Sequence, residues 1–255
     1  KNVLSGFSLH TVLVGNPGTG KTTVARILAR IYKALGILER GHIVETDRQG
    51  LVAGFVGQTA IKTSERIDEA LGGVLFIDEA YSLSNFNGLQ GDFGNEAIQT
   101  ILKRMEDMRG HFFVFVAGYP DNMENFLKAN PGLSSRFDKT LKFNDYSPAQ
   151  LEAIALKMLD DEGYKLAAKA NVYFTEILTD LYEKRDKYFG NARTVRKLVL
   201  EVIKNQNLRF AGIPHENRKK NQYQVITIED MQGLIGFTDA EMMEKKYIGF
   251  RSSDQ

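Results

Sequence analysis

A glycine-rich segment near the start of the chain has the residue types and the spacing of a phosphate-binding loop. Residues Gly15 to Thr22 read G-N-P-G-T-G-K-T, which matches the pattern G-x-x-x-x-G-K-T in full. The apolar run from Thr11 to Val14 precedes the loop, and a helical apolar pattern follows it, which is the strand-loop-helix context that the motif requires. The helical pattern consists of Val24, Ile27, Leu28, Ile31 and Leu35. The segment predicts binding of a nucleoside triphosphate.

Two side chains of this loop have individual roles in that chemistry. Backbone N–H groups of the loop and the helix N-terminus bind the phosphates. Lys21 is expected to reach the β- and γ-phosphates, and Thr22 is expected to ligate Mg²⁺. The other residues expected to contact the nucleotide are Gly15, Asn16, Pro17, Gly18, Thr19, Gly20 and Thr23.

Two acidic residues follow a second apolar strand. The run from Val74 to Ile77 is followed directly by Asp78 and Glu79. In α/β sheets ligands bind outside the carboxyl ends of the strands, so both carboxylates point to the same site. Asp78 is expected to hold Mg²⁺, directly or through water, and Glu79 is expected to orient and deprotonate the attacking water. The second carboxylate favours hydrolysis of the nucleotide.

The elements that must position these residues alternate over the first 145 residues. Strands are predicted at residues 11–14, 42–46, 74–77, 112–117 and 140–143, with helical patterns between them. This order predicts an α/β fold of the P-loop NTPase type, with a doubly wound parallel sheet, over residues 1–145.

The patterns after Tyr146 are helical and predict a small helical second domain over residues 146–240. Ser147 and Pro148 predict the start of its first helix. A second helix is predicted over residues 171–187, a third from Asn191 onward, and a short strand at residues 225–228. Residues 241–255 are predicted to form a poorly ordered tail.

Composition sets limits on function. The net charge of +1 supplies no basic field for nucleic acid or anionic membranes. The absence of cysteine excludes disulfides, cysteine-based zinc sites and a cysteine nucleophile, and it agrees with a cytoplasmic location. No apolar run reaches the roughly 18 residues of a membrane span. Because the chain begins at Lys1 without a methionine, we expect a fragment from which N-terminal elements are missing.

Several segments together resemble the AAA+ ATPases, and within that superfamily the CbxX/CfqX family. The resemblance covers about residues 10–210, and the segments that carry it are residues 15–23, 41–44, 57–60, 72–81, 117–119, 123–126 and 130–132. It implies that the nucleotide is ATP and that a helical lid domain follows the α/β domain. It also implies a homo-oligomeric ring, for which a hexamer is expected. It leaves the client protein open between Rubisco, a secretion component and a sporulation factor.

The resemblance also assigns roles to residues outside the two motifs. Arg136 matches the arginine finger, which enters the site of the neighbouring subunit and stabilises charge on the transferring phosphoryl group. Arg193 matches the sensor arginine of the lid, which contacts the γ-phosphate in cis, with Arg196 as a weaker alternative. The polar residue that many AAA+ proteins place after the fourth strand stays open between Tyr119 and Asn122.

Phe55, Val56 and Gly57 resemble the central pore loop of protein-threading AAA+ rings. An exposed aromatic residue on such a loop can grip an extended polypeptide, so the leading interpretation is ATP-driven protein remodelling. A nucleic-acid-directed AAA+ ATPase and a nucleotide-gated scaffold are the alternatives. Near-neutral charge and an aromatic rather than lysine-rich loop argue against action on nucleic acid. The presence of Glu79 and Arg136, which hydrolysis would use, argues against a scaffold that does not hydrolyse ATP.

Overall fold

The computed structural model describes residues 9–55, 57–84, 93–214, 216 and 223–234. Strands and helices alternate up to residue 143, and the rest of the described chain is mainly helical. The first part contains β1 (Thr11–Gly15), α1 (Lys21–Ala34), β2 (Ile43–Thr46), α2 (Arg48–Leu51), α3 (Gln58–Glu69), β3 (Val74–Ile77), α4 (Gly94–Asp107), β4 (Phe113–Gly118), α5 (Pro120–Ala129), α6 (Pro131–Ser134) and β5 (Lys139–Phe143). The second part contains α7 (Pro148–Asp161), β6 (Lys165–Leu166), α8 (Ala168–Glu183), α9 (Ala192–Ala211) and β7 (Val225–Ile226).

The first part is built on a parallel sheet in the order β2-β3-β4-β1-β5. In its register, Val12 of β1 lies opposite Val116 of β4 and Thr140 of β5. β1, β3 and β4 are buried along their whole length, which explains their continuous apolar runs, since both faces of the sheet are covered there. The predicted α/β fold with a parallel sheet is confirmed, and the described strand bounds differ from the predicted ones by one residue at most.

An apolar layer covers each face of this sheet. Val12 and Val14 of β1 belong to one layer, together with Ile98 of α4. Leu13 belongs to the opposite layer, together with Ala29 of α1. Successive side chains of a strand point to opposite faces, so a single buried strand contributes to both layers.

The predicted helix α1 is present, but it buries a narrower face than its apolar pattern suggests. Ile27, Ile31 and Leu35 are 49%, 44% and 65% exposed. Its fully buried residues are Ala25 and Ala29. The small alanine side chains allow the helix to lie close to the sheet, Leu28 packs at the margin of the same core, and the three exposed side chains point outward.

The second part packs around α7, α8 and α9. Ser147 caps α7 through a reciprocal pair of hydrogen bonds with Gln150, and Pro148 occupies the first helical turn, as the sequence predicts. The second helix begins and ends three to four residues earlier than its predicted range of 171–187. The shared core includes Leu151 of α7, Phe174 of α8 and Leu198 of α9.

The strand predicted at residues 225–228 is shorter in the structure, because a turn begins at Thr227. Val225–Ile226 pairs in parallel with β6, and a single 3-10 turn, Ile228–Met231, follows. The buried carboxylate of Asp230 accepts hydrogen bonds from the Thr227 N–H at 2.8 Å and from Arg209 at 2.6 and 2.9 Å. These bonds turn the chain away from the sheet.

The chain divides into two compact units. Of the described residues, the first unit contains those from 9 to 15 and from 20 to 144, and the second contains those from 16 to 19 and from 145 to 234. Residues 16–19, the middle of the glycine-rich loop, therefore group with the helical part of the chain. No helix in the described part of the chain is long and apolar enough to cross a membrane.

Candidate functional site

The glycine loop begins at the end of β1 and ends at the start of α1, and these two ends belong to the first unit. A Cβ on Gly15 would lie 2.4 Å from the carbonyl oxygen of Phe143 in β5, so only glycine fits there. Gly20, with φ of +90°, is the N-cap of α1. Lys21 opens the helix, and its Nζ donates to the Gly15 carbonyl at 2.8 Å. A lysine and a helix N-terminus together present positive charge at the carboxyl end of β1.

Thr22 and Thr23 follow in the first turn of α1. Thr22 is half-buried and Thr23 is exposed. Across the part of the chain that the structure describes, no group of three or more His, Asp or Glu side chains is arranged to hold a metal ion. Mg²⁺ bound with a nucleotide needs only one or two protein ligands, because water and phosphate oxygens supply the others. The residues present therefore fit a metal ion that arrives with a nucleotide.

The middle of the loop, residues 16–19, has its own hydrogen bonds within the second unit. The buried Thr19 hydroxyl donates to the Asn16 carbonyl at 2.7 Å, which closes the turn. Three residues far along the sequence also contact these four: Asp145, Tyr146 and Asn191. They were not among the predicted site residues. Their contacts with the loop join positions more than 120 residues apart, and no local pattern encodes such a pairing.

The two carboxylates lie at the carboxyl end of β3, on the same edge of the parallel sheet as Gly15. The Asp78 N–H donates to the Thr46 carbonyl at 2.9 Å, which extends the pairing of β2 and β3 by one residue. The Asp78 carboxylate accepts from the Glu79 N–H at 3.0 Å. Both side chains are exposed, as groups that act on a ligand must be. Glu79 has φ of +48°, a strained conformation for glutamate and one that is frequent at functional sites.

Tyr81 is a further polar residue beside the carboxylates that was not predicted. β4 ends at Gly118, and a Cβ there would lie 2.8 Å from Cδ1 of Tyr81, so the tyrosine ring occupies the space of a side chain at that position. Tyr81 makes a side-chain hydrogen bond with Asn122, and its ring centroid lies 6.3 Å from that of Tyr119. Burial, and next the charge of Glu79, raise the pKa of Tyr81 to about 12, so its hydroxyl stays protonated.

Arg136 lies away from these groups within one chain. It follows α6 and precedes β5, at the amino edge of the sheet. Its side chain is 30% exposed and donates to the Gly132 carbonyl at 3.2 Å, with Glu106 at 3.4 Å. The loop lies at the opposite, carboxyl edge, roughly 16 Å away along a five-residue strand. Within one chain, Arg136 therefore does not lie beside Lys21, Asp78 or Glu79.

Arg193 lies in the first turn of α9, directly after Asn191 and Ala192. Its side chain is exposed. Arg196, the alternative, lies one turn further along the same helix and is also exposed.

The predicted pore loop connects α2 to α3. The Ala53 N–H donates to Thr59 Oγ1 at 3.0 Å, and Thr63 Oγ1 donates to the Leu51 carbonyl at 3.1 Å, so the α2 end of the loop is held against α3. Phe55 is 72% exposed. Gly57, with φ of +78°, is the N-cap of α3. Val56 lies outside the described residues.

A loop that can hold polyphosphate and a glutamate exposed at the same sheet edge are what hydrolysis of a nucleoside triphosphate requires. The fold and the site thus define the class of P-loop triphosphatases. Comparison with known families narrows this class: the model of the ATPase family associated with various cellular activities (AAA) matches residues 11–145, and the model of the AAA lid domain matches residues 147–245.

Individual relatives agree with these matches. The chain is 43% identical over 204 residues to stage V sporulation protein K of Bacillus subtilis (strain 168), covering 80% of this chain and 63% of the relative. It is 43% identical over 189 residues to protein CbbX of Cereibacter sphaeroides, covering 74% and 60%. It is 38% identical over 225 residues to the chloroplastic ribulose bisphosphate carboxylase/oxygenase activase of Cyanidioschyzon merolae, covering 88% and 75%.

The chain therefore belongs to the AAA+ ATPases of the CbxX/CfqX type. It is a nucleotide-binding domain of an ATP-hydrolysing family. It spans less than two thirds of the sporulation protein and of CbbX. A crystal structure of the FIGL-1 AAA domain in complex with ADP has the same fold, with a TM-score of 0.62 and 19% identity, covering 90% of this chain and 71% of that one.

Proposed function

We propose that this ATPase remodels proteins: in a homo-oligomeric ring, a hexamer, it uses ATP hydrolysis to pull on a client polypeptide. The observation that carries the proposal is the exposure of Phe55, at 72%, on a loop whose α2 end is hydrogen-bonded to α3. An aromatic ring offers a large packing area with few rotatable bonds, so it can hold an extended chain largely independently of sequence.

The nucleotide chemistry is assigned to the residues at the carboxyl edge of the sheet. The loop N–H groups and Lys21 hold the phosphates. Thr22 and Asp78 would hold Mg²⁺, which would neutralise charge on the phosphate oxygens. Glu79 orients the attacking water and accepts its proton. Tyr81, with its protonated hydroxyl beside Glu79, joins Tyr119 and Asn122 as a candidate for orienting that water.

The two arginines are assigned to different chains of the ring. Arg136 lies at the amino edge of the sheet, so it acts on the site of a neighbouring subunit, where it stabilises charge on the transferring phosphoryl group. Arg193, exposed at the start of α9, contacts the γ-phosphate of its own subunit.

The names of the relatives suggest the client protein. Because the chain spans only part of several of these relatives, their activities are proposals for this chain. Their names point to sporulation, to ribulose bisphosphate carboxylase/oxygenase activation and to secretion. The secretion relative is the ESX-1 secretion system protein EccA1 of Mycobacterium leprae (strain TN), 38% identical over 243 residues and matched over 42% of its length. We propose a client in one of these three systems and a cytoplasmic setting, with which a cysteine-free chain is compatible.

Two substitutions of Phe55 test the remodelling function. Phosphate release from ATP is measured with and without an unstructured polypeptide as a generic client. The polypeptide is expected to stimulate wild type and Phe55→Tyr, which keeps an aromatic ring. Phe55→Ala is expected to lose about tenfold or more of that stimulation, because removal of an aromatic anchor commonly has such an effect. Equal stimulation of all three proteins would remove Phe55 from client binding.

The same assay separates the alternative functions. A nucleic-acid-directed ATPase would be stimulated by DNA instead, and the stimulation would fall steeply as salt is raised. A nucleotide-gated scaffold would bind ATP and release no phosphate under any of these conditions. Either result would replace the proposed function.

A further inference from the structure

Asn191, the residue before α9, is held in a backbone conformation that asparagine seldom adopts. Its φ is +49° and its ψ is −124°, and its side chain is fully buried. Among the described non-glycine residues, Glu79 alone shares a positive φ. Glycine would adopt such a conformation without strain. Strain of this kind persists where the surrounding contacts enforce it, and the Asn191 amide makes several such contacts.

The Asn191 side chain joins three separate stretches of the second unit. Its Nδ2 donates to Asp145 Oδ1 at 2.8 Å, to the Phe189 carbonyl at 3.0 Å and to the Pro17 carbonyl at 3.3 Å. Its Oδ1 accepts from the Tyr146 N–H at 2.9 Å. The two N–H groups of the amide are shared among three acceptors, so both donors of the side chain are hydrogen-bonded.

Three successive carbonyls of the phosphate-binding loop receive a hydrogen bond from these surroundings. Asn191 donates to the Pro17 carbonyl, the Ala192 N–H donates to the Gly18 carbonyl at 3.2 Å, and the Tyr146 hydroxyl donates to the Thr19 carbonyl at 3.0 Å. In a trans peptide the carbonyl and the N–H of the next residue point in opposite directions. Holding these carbonyls therefore turns the following N–H groups, those of residues 18–20, to the other side of the loop.

Gly18 allows this close approach. A Cβ on Gly18 would lie 2.1 Å from the Gly190 carbonyl oxygen and 2.7 Å from the Arg193 nitrogen. Its φ is +69°, which also favours glycine. The loop thus packs directly on the turn that starts α9, and the turn and the loop constrain each other.

We infer that Asn191 and Tyr146 are positioning residues of the nucleotide site: they hold the phosphate-binding loop by its carbonyl groups so that its N–H groups face the phosphates. The inference rests on the proposed binding of nucleotide at this loop. Because Asn191 immediately precedes the first turn of α9, the same contacts also fix the start of the helix that carries Arg193. Binding at the loop and order at the start of α9 are then linked, and the linkage works in both directions.

Removal of one hydroxyl group tests the inference with little disturbance of packing. Tyr146→Phe deletes the donor to the Thr19 carbonyl and keeps the ring. The KM for ATP and the dissociation constant for ADP are expected to rise about fivefold, the usual loss for one neutral hydrogen bond. The kcat is expected to stay nearly unchanged, since the loop holds the bound substrate and the transition state alike.

Tyr164→Phe is the matched control. The Tyr164 hydroxyl donates to Asn207 Oδ1 at 3.2 Å in the same unit, away from the loop, and its removal is expected to leave both constants at the wild-type value. Equal ADP affinity of the two variants would overturn the inference, whatever their melting temperatures. Failure of wild type and of Tyr164→Phe to bind ADP would instead contradict nucleotide binding itself, and the inference would fail with it.

Hydrogen exchange supplies a readout that a merely structural role would not change. The Ala192 N–H, bonded to the Gly18 carbonyl, is expected to exchange more slowly when ADP is added to wild type. In Tyr146→Phe, at ADP concentrations that saturate both proteins, this protection is expected to be smaller. Protection that is absent in wild type, or identical in Tyr146→Phe, would show that the loop and the start of α9 are not linked through these contacts.

Discussion

At the scale of single residues, the strained conformation of Glu79 shows how the chain presents its proposed base. A residue that follows a buried strand would ordinarily continue away from the sheet edge in extended form. Glu79 instead turns at once, with φ of +48° and ψ of +43°, into the short helical turn Ala80–Leu83. Its N–H donates to the Asp78 carboxylate, which holds the turn, and its side chain is exposed at the carboxyl edge of the sheet.

Glu79→Gln tests the role of that carboxylate. Glutamine has the same shape and cannot accept the proton of the attacking water, so phosphate release is expected to fall by about 10²–10⁴-fold while ATP still binds and the ring still assembles. Glu65→Gln, a change at an exposed glutamate of α3, is the control and is expected to hydrolyse ATP as wild type does. Full turnover by Glu79→Gln would remove this residue as the base.

At the scale of elements, a buried histidine joins two strands of the sheet. His10 precedes β1, and its Nδ1 accepts the Val114 N–H of β4 at 2.9 Å. The ring also packs edge-on against Phe113 and Phe137. Burial lowers the pKa of His10 to about 4, with Asp138 opposing that shift and the nearby arginines adding to it. The histidine is therefore neutral in the folded protein, because a protonated Nδ1 could not accept this hydrogen bond.

The depressed pKa of His10 predicts a loss of stability in mild acid. In the unfolded chain the histidine titrates near its ordinary value of 6.5, so the unfolded state binds the proton first as the pH falls. The free energy of unfolding is expected to decrease between about pH 6.5 and pH 4, by about 3 kcal/mol in total. Denaturant unfolding at several pH values measures this.

His10→Asn is the comparison for this measurement. Asparagine supplies an acceptor and no titrating group, so the difference in stability between the variant and wild type should shrink as the pH is lowered through this window. A difference that stays constant from pH 7 to about pH 4 would contradict the assignment.

In the molecule as a whole, the residues proposed to act in hydrolysis lie at opposite edges of the sheet. Gly15, Asp78 and Glu79 lie at its carboxyl edge, and Arg136 lies at its amino edge. Within one chain, Arg136 is therefore separated from these carboxylates by the length of the sheet. In the proposed ring of identical chains, each interface would pair the carboxyl edge of one subunit with Arg136 of the next.

Mixed rings test this shared site. Arg136→Ala alone is expected to lose about 10³-fold or more in ATPase rate, as is typical for an arginine finger. Mixing it with Glu79→Gln should restore activity, because a subunit with Glu79 can then lie beside one with Arg136. In a random equal mixture about one quarter of the sites are complete.

The two variants also supply the control for that experiment, since each measured alone should stay inactive. Recovery that appears only when subunits are allowed to exchange supports action in trans. If labelled subunits show that mixed rings form and activity still does not recover, the trans role of Arg136 is wrong.

Much of the fold could be predicted from local patterns, and the reasons are physical. β1, β3 and β4 are buried on both faces, so their apolar runs are unbroken and their positions are clear to within one residue. The exposed edge strand β5 still shows enough alternation to be found. Helix α1 was also found, but its buried face was not, because the sequence does not reveal that Ala25 and Ala29, rather than its larger residues, face the sheet most closely.

Nucleotide chemistry could be predicted from the sequence, because the glycine loop and the paired carboxylates depend on residue types at fixed, short spacings. The spatial arrangement of these groups and their neighbours depends on tertiary contacts. The ring of Tyr81 takes the space beside Gly118. Arg136 lies at the edge opposite the loop. Asn191 and Tyr146 hold carbonyls of a loop more than 120 positions away. Such pairings arise from packing between distant segments, and a local pattern carries no record of them.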